Sequence, residues 1–387
     1  MNFAPLELDE QTAAFRDEVL AFLDEHLTDE VHEEEWRTGA GHNAQFHKAL
    51  GARGWIVPTW SESEGGAGLT PFQEVILERE LAARHVPTIT KGTTRLVLSA
   101  VVEHASQRLK DEVLPGVASG DICFCLGYTE PDAGSDLAAA RTRAVRDGDE
   151  WVIDGQKMFT TGAQNCQYAF LVTRTNPDAP KHKGITMFLC PLEGAEIQAV
   201  HTLGGERTNM VFFDGLRISD HYRLGEVDRG WSVLMGPLNA EHGMGDDRGP
   251  VIESRGGMYG GATVDAYAHA VEWARQPDVD GKRPIDDPGV RRRLARVALD
   301  LETMSLAPGP MGRIVSSENL IRSARDLIDL LGPAGVLSHE ADDAVGGGWI
   351  EYSHRFAQGT AIYGGTTDVH RNIIAERMLG LPRSTPR

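Results

Sequence analysis

The chain has few basic residues for the number of its acidic ones. Lysine and arginine together number 38, against 57 aspartates and glutamates, so the formal net charge is −19 over 387 residues. This shortage of positive charge argues against a nucleic-acid partner, because binding phosphates requires basic residues. It still allows one small anionic ligand that is held by a local basic patch.

Cysteine is also scarce, with four residues in the whole chain. None of them forms a Cys-x-x-Cys pair or another spacing typical of a metal site, and the histidines are dispersed. We therefore predict no metal site. The cysteines are typical of reduced, small core residues, which favours a cytoplasmic protein. They are Cys123, Cys125, Cys166 and Cys190.

Long apolar runs and a secretion signal are absent as well. No stretch approaches the roughly 20 apolar residues that a membrane helix needs. The N-terminus, MNFAPLELDEQ, is acidic and lacks a charged segment followed by an apolar one. We expect a soluble protein without a membrane partner, long enough for two or three domains around a sizeable core.

The N-terminal third has the apolar spacing of helices. One predicted helix runs from Glu10 to Leu27, with its apolar residues on one face. Another starts at Pro71, with Thr70 as its N-cap, and continues through Leu81. The Leu114-Pro115-Gly116 step is predicted to close this helical region near residue 120.

The spacing of the apolar residues then changes to that of strands and later returns to that of helices. Residues 121–235 predict a small β-domain, either barrel-like or a sandwich, with strands separated by Gly, Pro and Asp turns such as Asp154-Gly155. The predicted strands are Trp151–Ile153, Tyr168–Thr173, Ile185–Leu189 and Val211–Phe213. From residue 236 helices return, including Val290–Met304 and Ser316–Leu331, which follow a polar connection at Gln276–Pro288. The order predicts an α+β protein.

Two stretches concentrate hydroxyls and turn-forming residues. They are LGYTEPDAGSD, from Leu126 to Asp136, and KMFTTG, from Lys157 to Gly162. Glycine and proline break regular structure and let backbone approach a bound molecule, while the hydroxyls can hydrogen-bond a polar planar ligand. Phe159 can lie flat against such a ligand. From these residues alone, an ordinary hydroxyl-rich loop is the favoured interpretation.

Together with the residues between and after them, these stretches resemble the flavin-binding middle domain of the acyl-CoA dehydrogenase family. The resemblance implies an N-terminal helical domain over 1–120, a middle β-domain over 121–235 and a C-terminal four-helix-bundle domain over 236–387. It also implies that FAD is bound. The residues implied to hold it are Leu126, Tyr128, Thr129, Gly134, Ser135, Phe159, Thr160, Thr161, Gly332, Thr366 and Asp368.

In this family a carboxylate removes the α-proton of an acyl-CoA thioester, and the β-hydrogen leaves as hydride to the flavin. A dry pocket raises the pKa of that carboxylate toward the working pH. Hydrogen bonds to the thioester oxygen stabilise the developing enolate. Many members carry the base in a Tyr-Glu-Gly-Thr segment, which reads Tyr363-Gly364-Gly365-Thr366 here. Gly364 thus replaces the carboxylate and keeps only its backbone N–H.

Other branches of the family carry the base in a Leu-x-x-Glu-Arg helix segment. Leu238 to His242 matches it except at the last position, where His242 replaces the arginine. The resemblance therefore assigns the base to Glu241, although a glutamate considered alone is usually a solvated surface residue. Asp246 and Asp247 are weaker candidates, because they lie more than a helical turn away. The substrate contacts implied by the same resemblance are Ser135, Asn239, His242, Gly364 and Gly365.

One expected flavin contact has no match in this chain. The family's Arg-x-x-Phe-Gly segment, whose arginine reaches the flavin pyrophosphate, is replaced by WARQPDVDGKRPIDD. Arg275, Lys282 and Arg283 are imperfect substitutes. Arg291–Arg293 fits a solvated helix face better than a ligand contact.

The main interpretation is FAD-dependent formation of a 2,3-enoyl-CoA from an acyl-CoA in fatty acid or lipid metabolism. The family implies an electron-transfer flavoprotein as acceptor and a homotetramer as the usual assembly. The altered Tyr363–Thr366 segment and the missing pyrophosphate arginine also fit one subunit of a heteromeric enzyme, a heterotetramer, that acts on bulky steroid or branched side-chain thioesters. A non-catalytic family member and a related flavin oxidase or monooxygenase remain alternatives.

Overall fold

The computed structural model describes residues 8–241, 259–304, 306–307 and 309–382. The chain groups into two compact units. The first contains the N-terminal helices and the sheet, up to residue 238 but without 202–205. The second contains 202–205, 239–241 and the described residues from 259 onward. The limits of the three predicted domains stay a prediction.

Six helices open the first unit. They are α1 Glu10–His26, α2 Asp29–Thr38, α3 Ala44–Ala52, α4 Pro71–Ala83, α5 Ile89–His104 and α6 Gln107–Ser119. The predicted start of α4 is confirmed, since the Thr70 hydroxyl accepts a hydrogen bond from the Gln73 N–H at 3.2 Å. The Gln73 side chain in turn accepts from the Thr70 N–H at 3.0 Å, which completes a capping box.

The helical region ends near residue 120 as predicted, but the Leu114-Pro115-Gly116 step does not itself end the last helix. These residues lie inside α6, which continues to Ser119 and ends at Gly120 in the left-handed conformation, with φ 81°. A proline inside a helix removes one backbone hydrogen bond. The helix continues because Leu109, Val113 and Val117 are buried on one face and hold the turns on both sides of the proline.

The sheet has eight strands among the described residues. They are β1 Phe124–Gly127, β2 Arg143–Asp147, β3 Glu150–Lys157, β4 Tyr168–Arg174, β5 Ile185–Pro191, β6 Glu196–His201, β7 Arg207–Ser219 and β8 Arg223–Leu224. Their order is β6-β7-β3-β2-β4-β5-β8, and β1 pairs in parallel with β4. The four predicted strands are confirmed within β3, β4, β5 and β7. The other four escape prediction because they are short or carry mainly exposed residues, as in β2 and β6.

The predicted turn at Asp154-Gly155 is wrong, because β3 continues through it to Lys157. The pairing of β3 with β7 shifts register between Ile153 and Gly155, as in a β-bulge. Gly155 has φ 145°, and a Cβ built on it would lie 2.8 Å from the Cα of Thr142. Glycine therefore serves here to let two strands approach, which brings Lys157 to the end of β3.

One core joins the N-terminal helices to the sheet. Phe15, Leu23 and Trp55 from the helical part belong to the same buried cluster as Phe124 and Phe170 from the strands. The helices thus fix the position of β1, the strand that leads directly into the LGYTEPDAGSD loop.

The second unit is built on four helices that pack around two buried clusters. These helices are α8 Gly260–Arg275, α9 Pro288–Met304, α10 Gly309–Leu331 and α11 Trp349–Thr360, followed by α12 Thr367–Ile373. Ala266, Leu294, Leu327 and Ile350 give one cluster a residue from each of the four. The arrangement confirms a C-terminal helical bundle, and α9 and α10 contain the two helices predicted there.

Two further sequence predictions need correction in this region. The helix that carries Glu241, α7, spans Gly230–Glu241, so helical structure returns before residue 236, where the sequence pattern predicted it. Arg293 does not lie on a purely solvated face, because its guanidinium binds the carboxylates of Asp326 and Asp329 at 3.1 and 2.9 Å. Within the described residues, no helix combines the length and the apolar character required to cross a bilayer.

Candidate flavin and acyl-CoA site

The two hydroxyl-rich stretches lie side by side in the first unit. The N–H of Met158 donates to the carbonyl of Thr129 at 2.9 Å. The Lys157 ammonium donates to the carbonyl of Tyr128 at 3.2 Å. Since β1 precedes the first stretch and β3 precedes the second, the sheet brings together two segments about 30 residues apart in the sequence.

A buried ion pair holds the backbone of the first stretch in place. The Glu130 carboxylate accepts hydrogen bonds from Lys157 Nζ at 2.7 Å and from the N–H groups of Arg141 and Thr142 at 2.6 and 2.9 Å. Burial acts to raise the pKa of Glu130, but Lys157 and these N–H groups outweigh it and lower the pKa. Glu130 is therefore a buried carboxylate whose ion pair and hydrogen bonds hold the loop in place.

The second stretch presents an aromatic ring to the surface. Phe159 has φ 57°, a left-handed conformation that is unusual for a bulky residue, and 56 % of it is exposed. Asn209 fixes the neighbouring backbone, because its carbonyl accepts from the Thr160 N–H and its side-chain amide donates to the Thr160 carbonyl, both at 3.0 Å. Thr161 Oγ1 donates to Thr208 Oγ1 at 3.1 Å.

The other residues predicted to hold the cofactor lie around the same loop. Leu126 and Thr129 are half-buried, while Gly134 and Ser135 are exposed. The Tyr128 side chain is buried, with its ring 5.9 Å from that of Phe170. Its backbone, rather than its ring, is the part that faces the second stretch.

These features fit a planar cofactor with a polar edge. The buried hydroxyl of Thr160 has no hydrogen-bond partner among the described residues, so it is free to bond a ligand. An exposed ring at Phe159 and a half-buried hydroxyl at Thr129 lie on the two adjoining stretches. The isoalloxazine of FAD has the flat face and hydrogen-bonding edge that such groups suit.

The predicted base lies in the second unit. Glu241 is half-buried at the end of α7, and burial raises the pKa of its carboxyl to about 7, while the positive charge of Arg313 opposes part of that rise. Asn239, two residues earlier, has a buried Oδ1 without a hydrogen-bond partner in the described part of the chain. The predicted residues His242, Asp246 and Asp247 lie outside the described residues.

Arg313 approaches the position where the usual base is missing. Gly364 has φ 64°, and a Cβ built on it would lie 3.6 Å from Nε and Nη2 of Arg313. The Arg313 guanidinium donates to the carbonyls of Tyr363 and, at 3.3 Å, of Gly365. His370 Nε2 lies 3.1 Å from the Gly364 carbonyl. The Tyr363–Thr366 segment is thus held from two sides.

The remaining predicted cofactor residues belong to turns of the second unit. Thr366 is the N-cap of α12, where its hydroxyl accepts from the Val369 N–H at 3.1 Å. Asp368 is exposed in the first turn, 3.8 Å from the guanidinium of Arg371. Gly332 opens a short helical turn with φ 59°, a conformation that favours glycine.

Sequence reasoning missed several residues that shape these sites, above all Arg313. A signal for it exists, because Arg313 falls on the buried stripe of α10, at helical spacing from Ser317, Leu320, Ala324 and Leu327. A charged residue on an apolar stripe is a buried cation, and such a cation needs a partner. Glu130 and Lys157 belong to the two stretches singled out in the sequence, but nothing there indicated that they form an ion pair, and Asn209 carried no signal.

The sequence also gave no sign of a cluster of His42, His47 and Cys123. Their ligand-type atoms lie within 4.8 Å of one another, and Cys123 Sγ is 3.3 Å from His47 Nε2. Burial raises the pKa of the Cys123 thiol to about 11 and, aided by the charge of Lys91, lowers that of His47 to about 3. Both groups are therefore neutral at pH 7, and the cluster is a hydrogen-bonded part of the helical core.

Profiles of the acyl-CoA dehydrogenase family match nearly the whole chain. The N-terminal domain matches residues 9–121, the middle domain 125–216 and the C-terminal domain 228–308 and 305–379. Acyl-CoA dehydrogenase FadE26 of Mycobacterium tuberculosis is 32 % identical over 362 residues, which is 87 % of each chain. Acyl-CoA dehydrogenase FadE29 of the same organism is 29 % identical over 90 % of each.

Solved structures give the same result for the fold. The Tcur3481-Tcur3483 steroid ACAD has a TM-score of 0.84 and 32 % identity, and the match covers 98 % of this chain and 100 % of that one. The ChsE4-ChsE5 complex of Mycobacterium tuberculosis has a TM-score of 0.83 and 30 % identity with the same coverage. The predicted fold class and enzyme class are confirmed. By sequence and by fold, this chain belongs to the acyl-CoA dehydrogenase family of flavin-dependent oxidoreductases.

Proposed function

We propose that this chain binds FAD and dehydrogenates an acyl-CoA thioester to the 2,3-enoyl-CoA, with Glu241 as the base. The observation that carries the proposal is a half-buried carboxylate whose pKa burial raises to about 7, in a chain whose Gly364 has no carboxylate. A base with a pKa near the working pH is both ionised in a useful fraction of molecules and strong enough to accept a proton.

The chain's own residues supply binding and position. Tyr363 and Gly365 are tied to Arg313 through their carbonyls, and Gly364 is tied to His370, so the segment that replaces the usual base keeps a fixed backbone. A fixed backbone N–H in that segment is the kind of donor that stabilises a developing enolate oxygen. Asn239, two residues before Glu241 on α7, has an amide oxygen without a hydrogen-bond partner among the described residues.

The cofactor proposal rests on the two adjoining stretches of the first unit. Phe159, Thr160, Thr161 and Thr129 would hold the flavin ring. The Glu130–Lys157 pair would keep the backbone of the first stretch in place, and Asn209 that of the second. Bound FAD supplies the two-electron acceptor for the β-hydrogen. We also propose an electron-transfer flavoprotein as the partner that reoxidises the enzyme, as the family resemblance implies.

The test is an anaerobic titration of the purified, flavin-loaded protein. Straight-chain, branched and steroid-type acyl-CoAs are added in turn, and flavin bleaching is followed for the wild type, Glu241→Gln and Glu272→Gln. Glu272 is a suitable control because it lies in the same unit with a 72 % exposed side chain. We expect the wild type and Glu272→Gln to bleach and Glu241→Gln not to. Normal bleaching by Glu241→Gln would contradict the assignment of the base.

A second candidate function is one subunit of a two-chain enzyme for bulky steroid or branched side-chain thioesters. The observation that favours it is the likeness, at 30 % identity or more, to the ChsE4-ChsE5 complex and the Tcur3481-Tcur3483 steroid ACAD, whose names pair two different chains. The unmatched pyrophosphate arginine fits this candidate, since a partner chain would then complete the flavin site.

Flavin content separates the two candidates. A protein expressed alone that carries about one FAD per chain supports the homomeric enzyme. A colourless protein that becomes yellow on co-expression with a related family chain supports the heteromeric one. A chain that stays colourless in both cases would contradict both candidates and would favour a non-catalytic family member.

A further inference from the structure

Arg313 is a buried cation whose hydrogen-bonding capacity is only partly used. It is 4 % exposed and lies on α10, with its guanidinium 4.6 Å from the ring centre of Tyr259. Nη2 donates to the carbonyls of Tyr363 and Gly365. Among the described residues, Nε and Nη1 have no hydrogen-bond partner. Burial lowers the pKa of Arg313, and the opposing effects of Tyr259, Tyr363 and Glu241 do not cancel it, so the charge is only partly compensated.

The space beside this guanidinium is the place where a side chain at position 364 would stand. A Cβ built on Gly364 would lie 3.6 Å from Nε and Nη2 of Arg313 and 3.7 Å from the hydroxyl oxygen of Tyr259, and these are the nearest atoms outside the adjoining residues. Such distances are ordinary van der Waals contacts, so the position is open to another group. The family resemblance implies a carboxylate at this position in many members, whereas Gly364 leaves it unfilled.

A group that compensates Arg313 in this space has to be negatively charged. Water can accept hydrogen bonds from Nε and Nη1, but it leaves the buried positive charge unpaired, which is unfavourable in a protein interior. A thioester carbonyl becomes negative only during the reaction. A carboxylate suits the position, because the N–H groups of a guanidinium form short, charge-assisted hydrogen bonds with carboxylate oxygens.

The position of the space connects it with the acyl group of the substrate. Gly364 and Gly365 are two of the residues that the family resemblance assigns to the substrate, and Arg313 donates to the carbonyl of Gly365 at 3.3 Å. In family members that carry the base at position 364, this carboxylate must reach the α-carbon of the acyl group. An anion that enters the same space therefore belongs to the acyl group and not to the phosphates of CoA.

We propose that Arg313 binds a carboxylate carried by the acyl group, so that this chain prefers acyl-CoAs with a second, free carboxylate. The proposal rests on the proposed function, because it presumes that an acyl-CoA binds beside Gly364 and Gly365. In this role Arg313 contacts the substrate and determines specificity. The glycine that replaces the usual base serves the same purpose, since it leaves room for the carboxylate.

The test measures binding without turnover. S-alkyl-CoA thioethers lack the carbonyl that makes the α-proton acidic, so they occupy the site without reacting. Each thioether is made in two forms of the same size, one that ends in a carboxylate and one that ends in a carboxamide. The chains match those of succinyl-, glutaryl- and adipyl-CoA. Isothermal titration calorimetry then gives the Kd of each form for the flavin-loaded protein.

We expect the wild type to bind at least one carboxylate form about tenfold or more tightly than its carboxamide, because a hydrogen bond to a charged group contributes more than a neutral one. Arg313→Gln should abolish this preference by weakening the carboxylate form alone. Arg313→Lys should retain part of it, since the charge remains without the planar fork. The control is Arg322→Gln on the same helix, whose 51 % exposed side chain should leave the preference unchanged.

A second pair of variants covers the case in which Arg313→Gln does not fold, which circular dichroism shows. Gly364→Asp places a carboxylate of the chain itself beside the guanidinium, and Gly364→Asn places a neutral side chain of the same shape there. Both residue types adopt a left-handed φ more readily than other side chains. We expect Gly364→Asp to lose the preference for the carboxylate forms and Gly364→Asn to keep more of it.

A wild type without any preference for the carboxylate form, at all three chain lengths, would overturn the proposal. So would a folded Arg313→Gln that binds both forms less tightly in equal proportion, because that result belongs to a residue that only orders the Tyr363–Thr366 segment. Failure of the proposed function appears elsewhere, in the bleaching titration. There, either no acyl-CoA reduces the flavin or Glu241→Gln bleaches normally, whatever the Kd values of the two forms.

Discussion

Removing the ammonium of Lys157 should destabilise the first unit strongly. Its side chain is 0 % exposed and its partner Glu130 is 6 % exposed. Breaking a buried ion pair by deleting one partner costs about 3–5 kcal/mol, because the other charge stays buried without compensation. In Lys157→Met, Glu130 keeps two backbone N–H donors. We therefore expect the lower end of that range, about 3 kcal/mol.

The matched control is Lys181→Met. Lys181 pairs with Asp136 at the same distance, 2.7 Å, but their side chains are 66 % and 56 % exposed. Exposed pairs of this kind contribute up to about 1 kcal/mol. The double variant Glu130→Gln, Lys157→Met should recover part of the loss, because it leaves no unpaired charge in the core.

The assay is urea unfolding followed by circular dichroism, with flavin content measured on the same samples. We expect Lys157→Met to unfold at clearly lower urea than Lys181→Met and to hold less flavin, since the pair supports the loop from Tyr128 to Glu130. If both single variants lost the same stability, or if the double variant were worse than Lys157→Met, the ion pair would not be what holds this loop.

Three further predictions follow from single positions. Gly364→Ala should lower the free energy of unfolding by about 1–2 kcal/mol in urea denaturation, because Gly364 has a left-handed φ of 64°. Gly134→Ala should leave this free energy unchanged, because Gly134 has open space around it and no such φ. Phe159→Ala should reduce the FAD bound per chain, measured by absorbance. It should not lower the melting temperature, because 56 % of Phe159 is already exposed. The control Phe72→Ala, at a residue that is 42 % exposed, should change neither quantity. The bleaching rate should rise with pH through about 7 and fall about tenfold per unit below it in stopped-flow measurements, since Glu241 must be ionised to accept a proton.

Much of the fold follows from local patterns in the sequence. The start of α4 at Thr70 and Pro71 is encoded by a capping box, and the helices α9 and α10 by apolar spacing. Strands with mainly exposed residues, such as β2 and β6, carry no alternation that a sequence can reveal. Gly155 misled the prediction, because β3 stays paired with β7 on both sides of the register shift.

The candidate site also has a part that the sequence predicts and a part that it does not. The Leu126–Asp136 loop and Glu241 are found through resemblance, because the family's motifs stand there in order. The groups that support them are not local in sequence. Lys157 reaches Glu130 across 27 positions, and Arg313 reaches the carbonyl of Tyr363 across 50. Such partners are set by tertiary packing, and no short motif announces them.

The most direct measurement of the central claim is proton exchange at the α-carbon of the acyl group. An acyl-CoA that bleaches the wild type is incubated anaerobically with the enzyme in D₂O, and deuterium at Cα is followed by NMR. We expect the wild type and Glu272→Gln to incorporate deuterium, and Glu241→Gln to do so at least 100-fold more slowly, at the low end of what a general base contributes (~10²–10⁴-fold). Incorporation at the wild-type rate in a folded, flavin-loaded Glu241→Gln would show that another group removes the α-proton.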